Sequence, residues 1–133
     1  MRLGVRDIEK LKNIGNLRIY HKDSYIFRQN DWSTEMYIIV SGVVQLTVGE
    51  EDKLIQLAIL KQGEILGEMA LLEDMPRCAT AQAKTDCTVF VIPKNNFEKL
   101  IQVLPKMGIR ISRKLSSRLR QANEELWFIK NSE

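Results

Sequence analysis

Residues 35–60 read EMYIIVSGVVQLTVGEEDKLIQLAIL, and this stretch decides the fold class. Glu35-Met-Tyr-Ile-Ile-Val40 is a short apolar run rich in β-branched and aromatic side chains, closed by Ser41-Gly42. Val43, Gln45 and Thr47 then alternate with Val44, Leu46 and Val48, the two-residue period of a strand with one buried face. The polar stretch Gly49-Glu-Glu-Asp-Lys53 turns the chain and Leu54-Ile-Gln-Leu-Ala-Ile-Leu60 returns beside it, which is the signature of a hairpin.

The same pattern continues on either side. Ser24–Arg28, Ala79–Ala83 and Thr88–Ile92 are further short strands, so residues 17–92 predict a mainly β domain, a jelly-roll β-sandwich. Before it, Ile8, Leu11 and Ile14 recur at helical spacing over Asp7–Ile14, and Gly15-Asn16 ends that short helix. After it, two helices are predicted over about 95–130. Asn95 with Glu98 forms a capping-box signature, and Pro105 suits the first position of the second helix. Met107, Ile111, Leu115, Leu119, Ala122, Leu126 and Ile129 form one stripe along that helix. The expected organisation of residues 1–133 is therefore a single domain: short helix, β-roll, two helices.

Composition narrows the chemistry. Of 133 residues, 44% are hydrophobic and 28% charged, a globular balance with enough chain for one core. No apolar run approaches the length of a bilayer span, and the start resembles no signal peptide, so a cytoplasmic setting is expected. Two cysteines, Cys78 and Cys87, are expected as small buried thiols. The single histidine, His21, leaves an imidazole metal site or a Ser-His-Asp hydrolase without residues, and it is expected exposed in a loop or at a strand end. A net charge of +3 makes no case for nucleic acid.

Residues 63–83, GEILGEMALLEDMPRCATAQA, carry the functional signal. Gly67 permits a tight turn, and Glu68 follows it directly. Met69-Ala70-Leu71-Leu72 reads as a helical turn whose unpaired N–H groups favour an anion. Arg77, behind Pro76, can grip a phosphate with two parallel hydrogen bonds. A glycine turn, a carboxylate, an N–H nest and an arginine suit a ligand with one phosphate and one hydroxyl.

The order G-E-M-A-L-L-x-x-x-P-R-x-A-T resembles the phosphate-binding cassette of the cyclic nucleotide-binding domain family, over a span far more specific than a lone glycine motif. Tyr37–Gly42 and Phe97–Pro105 resemble the family's strand before the hairpin and its approach to the final helix. The resemblance implies that Glu68 accepts a hydrogen bond from the ribose 2′-hydroxyl and that Arg77 pairs with the cyclic phosphate. It further implies that backbone N–H groups near Met69, Ala70, Cys78 and Ala79 complete the phosphate nest, with Ile55, Leu57 and Ile65 on the base side. Asn30 stands where many members carry glycine, and asparagine tolerates the left-handed backbone such a turn needs. Cys78 stands where threonine accompanies cGMP preference, so the resemblance favours cAMP.

Other readings stand beside these. Arg77 could instead pair with Glu73 or Asp74, and Glu68 could cap the helical turn. Trp127 and Phe128 could close over the base as a lid or pack the last helix on the β-roll. The stripe from Met107 to Ile129 could pack on its own domain or pair with a second copy. Arg110, Arg113, Lys114, Arg118 and Arg120 read as a solvated helix face. The expected partners are a cyclic nucleotide, a second copy through the final helix and an effector protein. The last residues, Asn131-Ser132-Glu133, leave no recognition helix for DNA in this sequence, and neither DNA nor membrane is expected as a partner. No catalytic residue, metal or cofactor is expected, the ligand being cAMP or cGMP. The alternative is a dimerisation or interaction subunit that keeps the fold without the ligand.

Overall fold

The computed structural model describes residues 9–68 and 75–131. Eight strands, β1 (Asn16–Tyr20), β2 (Tyr25–Phe27), β3 (Glu35–Ser41), β4 (Val44–Val48), β5 (Ile55–Leu60), β6 (Ile65–Leu66), β7 (Thr80–Ala83) and β8 (Cys87–Pro93), form two four-stranded sheets ordered β1-β8-β3-β6 and β2-β7-β4-β5. All pairings are antiparallel, and β4 and β5 form the hairpin with a register shift between Leu46 and Thr47. A 3-10 turn, Lys94–Asn96, leads into α1 (Phe97–Val103) and α2 (Pro105–Asn131). Residues 9–11 are helical and 12–14 form a turn, so the N-terminal helix ends at Leu11 rather than at the expected Ile14, while its first residues lie outside those described.

The period of two sorts β3 between two cores. Tyr37 and Ile39 enter the core between the sheets, with Phe27, Leu46, Leu66 and Val89. Met36 and Ile38 face the other way, into a second core with Leu11, Phe90, Leu100, Leu104, Met107 and Ile111. β8 divides likewise, Val89 and Val91 on one side, Phe90 and Ile92 on the other. Both strands are buried on two faces, which is why they read as unbroken apolar runs rather than alternating ones. The helices are thereby packed on the outside of one sheet.

The cap of α1 differs from expectation. Asn96, not Asn95, is its N-cap, and no side chain caps the helix. The Asn96 amide instead donates to Ile14 O at 2.7 Å and ties the N-terminal segment to the C-terminal helices. Pro105 opens α2 as expected. No described helix is long and apolar enough to cross a membrane.

Candidate functional site

The site forms where β6 runs out at Leu66 and the chain turns. Gly67 has φ +80°, and a Cβ there would lie 2.6 Å from Arg77 Nη1 and 2.9 Å from Glu35 O. Glycine is therefore required twice, for its backbone angle and for the close approach of the arginine. Asn30 holds the neighbouring turn at φ 74°, and its N–H donates to Arg77 O while Arg77 N–H donates to Asp31 O. These backbone bonds fix Arg77 from the β2 side.

Arg77 is 4% exposed. Its Nε donates to Ser33 Oγ at 2.7 Å, Nη1 to Gly67 O at 3.1 Å and Nη2 to Glu35 O at 2.6 Å. The guanidinium carbon lies 4.4 Å from the centroid of Phe27 and 5.7 Å from that of Tyr37. Burial pulls the guanidinium below its ordinary value, and the Tyr37 hydroxyl opposes that shift. Among the described residues no carboxylate forms an ion pair with Arg77. Among the described residues the buried cation is held by neutral oxygens and ring faces, an arrangement that suits a guanidinium placed to meet an anion.

Glu68 is buried beside it, and Lys114 Nζ from α2 lies 3.0 Å from Glu68 Oε1. A cavity of about 390 Å³ brings Gly67, Glu68, Arg77, Cys78, Ala79, Lys114 and Gln121 together with apolar Phe27, Leu46, Leu57, Ala58 and Leu66. An apolar pocket with a few convergent charged groups and a volume in this range is the usual form of a small-molecule site. A larger groove of about 800 Å³ runs along α1 and α2, but among the described residues its lining has no carboxylate and no buried charge. Among the described residues no group of three His, Cys, Asp or Glu is placed to hold a metal.

Several expected positions differ. Ile65 lies in the core beneath the helices, and its neighbour Leu66 lines the cavity, because adjacent strand residues point to opposite faces. Ile55 is exposed and does not line the cavity, whereas Leu57, which the β4–β5 register shift leaves between paired Gln56 and Ala58, does. Cys78 is exposed rather than buried, since it follows Arg77 on the turn lining the cavity, while Cys87 is buried as expected. Trp127 and Phe128 are exposed on the last turns of α2; neither lines the cavity or packs in either core. His21 ends exposed beyond β1, as expected. Met69, Ala70, the Met69–Leu72 turn, and Glu73 and Asp74 lie outside the described residues, as does the side chain of Arg118. Lys114 was expected on a solvated face and instead enters the site. Its place three residues after buried Ile111 is the signal that could have found it.

A jelly roll whose glycine turn, buried carboxylate and buried arginine converge on one cavity belongs to the class of domains that bind a small ligand. A family model of the cyclic nucleotide-binding domain matches residues 17–103, and the chain belongs to that family. Over 109 residues it is 35% identical to the cAMP-activated global transcriptional regulator CRP of Salmonella typhimurium, covering 80% of this chain and 52% of that protein. It is 31% identical over 99 residues to the cAMP-dependent protein kinase regulatory subunit of Yarrowia lipolytica, covering 74% of this chain and 26% of that one. The crystal structure of the Thermus thermophilus catabolite activator protein superposes with a TM-score of 0.82 at 29% identity, over 96% of this chain and 61% of that one. The chain spans about half the length of the curated CRP relatives it matches.

Proposed function

We propose that this chain is a non-catalytic, cytoplasmic cyclic nucleotide sensor that prefers cAMP to cGMP and transmits occupancy through α2. One observation carries the reading: the buried guanidinium of Arg77, partnered by neutral oxygens, faces the same cavity as Glu68. A cyclic phosphate supplies negative charge to this guanidinium, and the Glu68 carboxylate accepts a hydrogen bond from the ribose 2′-hydroxyl. Backbone N–H groups of Cys78 and Ala79, with those of Met69 and Ala70, complete the phosphate nest. Leu46, Leu57 and Ala58 supply apolar surface for the base. The relatives named for cAMP support the ligand class, and a structural neighbour 31–32% identical has been solved with cAMP and with cGMP bound.

A second element of the reading is a homodimer through the distal part of α2, where Leu119, Leu126, Trp127 and Ile129 are exposed. The same surface supports the alternative of an interaction subunit without ligand, and an effector protein could read either state. Calorimetric titration of refolded, nucleotide-free protein with cAMP and cGMP separates them. Saturable binding with cAMP the tighter ligand is expected; no binding of either nucleotide by folded protein would leave the interaction subunit.

A further inference from the structure

Lys114 belongs to α2, yet its ammonium reaches the nucleotide cavity. Nζ lies 3.0 Å from Glu68 Oε1 and donates to Ile65 O at 2.7 Å. We infer that Lys114 couples α2 to the site: it holds the Glu68 carboxylate for the ribose and makes helix docking and nucleotide binding reinforce each other. This rests on the reading of the site as a cyclic nucleotide pocket.

Three observations converge. The Glu68 side chain is 2% exposed and that of Lys114 26%, so the carboxylate is buried and its cation comes from a different element. Removing a cation 3.0 Å from a buried carboxylate takes away charge compensation that burial makes costly to lose. Among the described residues the charges on the cavity wall are Arg77, Lys114 and Glu68, two positive and one negative. Their sum matches the single negative charge of a cyclic phosphodiester, and without Lys114 it is zero. Finally, Lys114 stands at the point where α2 leaves the core: Met107 and Ile111 before it are buried, and Leu119 beyond it is exposed. Gln121, two turns further along, lines the same cavity, so a ligand filling it touches the helix as well as the cassette. A contact that favours the docked helix and the bound ligand together must act reciprocally on both.

Lys114 is thus a positioning residue, and its test needs two readouts: amide hydrogen exchange over Met107–Leu115 and cAMP affinity, for wild type, Lys114→Met and Lys114→Arg. Without nucleotide, Lys114→Met is expected to exchange faster over this segment than wild type. Its cAMP affinity is expected to fall by roughly tenfold or more, and Lys114→Arg to restore both. Unchanged exchange and affinity in Lys114→Met would overturn the inference. Faster exchange with unchanged affinity would leave an anchor without coupling and overturn it too, as would lost affinity with unchanged exchange. If wild type takes up neither cyclic nucleotide, the functional reading falls on its own. The nucleotide-free exchange then decides whether Lys114 docks the helix: faster exchange in Lys114→Met sustains that half, and unchanged exchange ends it.

Discussion

The two halves of α2 share one apolar period and meet opposite environments. In the first half Met107 is 0% and Ile111 3% exposed, seated with Met36, Ile38 and Phe90 beneath the sheet. In the second half Leu119, Leu126, Trp127 and Ile129 are all more than half exposed. The 27 residues of the helix span about 40 Å, longer than one face of a small sandwich can cover. Amphipathic spacing therefore specifies a helix and an apolar stripe, while the partner of each turn depends on where the sheet ends. Lys114 lies near the change of environment, between buried Ile111 and exposed Leu119.

The largest expected effect lies in the buried half. Met107→Ala removes a fully buried side chain and is expected to lower unfolding stability by about 2–5 kcal/mol in urea titration. Paired Leu119→Glu and Leu126→Glu in the distal half are expected to convert dimer to monomer in analytical ultracentrifugation. A wild type already monomeric at high concentration would remove the dimer from the account. Tyr37 sharpens the contrast on the side of the sandwich, since burial raises its hydroxyl from 10.0 to about 12, with Glu35 adding to the shift. Its ordinary value applies once unfolded, so this contribution to stability is whole below pH 10 and lost as pH rises toward 12. Tyr37→Phe is expected to remove that part of the alkaline transition. The smallest effect is Leu126→Ala, expected to change the stability of the monomer by no more than about 0.5 kcal/mol. A loss comparable to Met107→Ala would mean that the halves do not differ.

Much of this arrangement was legible in residue order. The β4–β5 hairpin follows from its alternation, α2 from Pro105 and its stripe, and Gly67, Glu68 and Arg77 from the cassette. β6 is only two residues long, too short to show a period, and Ile65 was consequently placed on the wrong side of the sheet. β1 is almost wholly exposed, so no buried face marks it. Lys114 was hidden in a run of cations because sequence gives a helix its faces but not the depth of its neighbour. The exposure of Cys78 follows from the path of the turn after Arg77, which composition does not encode.

The central claim is that Arg77 is the anion-binding group of a cyclic nucleotide site. It is tested most directly by titrating cAMP into wild type and Arg77→Ala in parallel, with folding of both checked by circular dichroism. The account predicts saturable binding by wild type and a loss of about 2–5 kcal/mol, enough to abolish a measurable isotherm, in the variant. Equal affinity of the folded variant and wild type would contradict it.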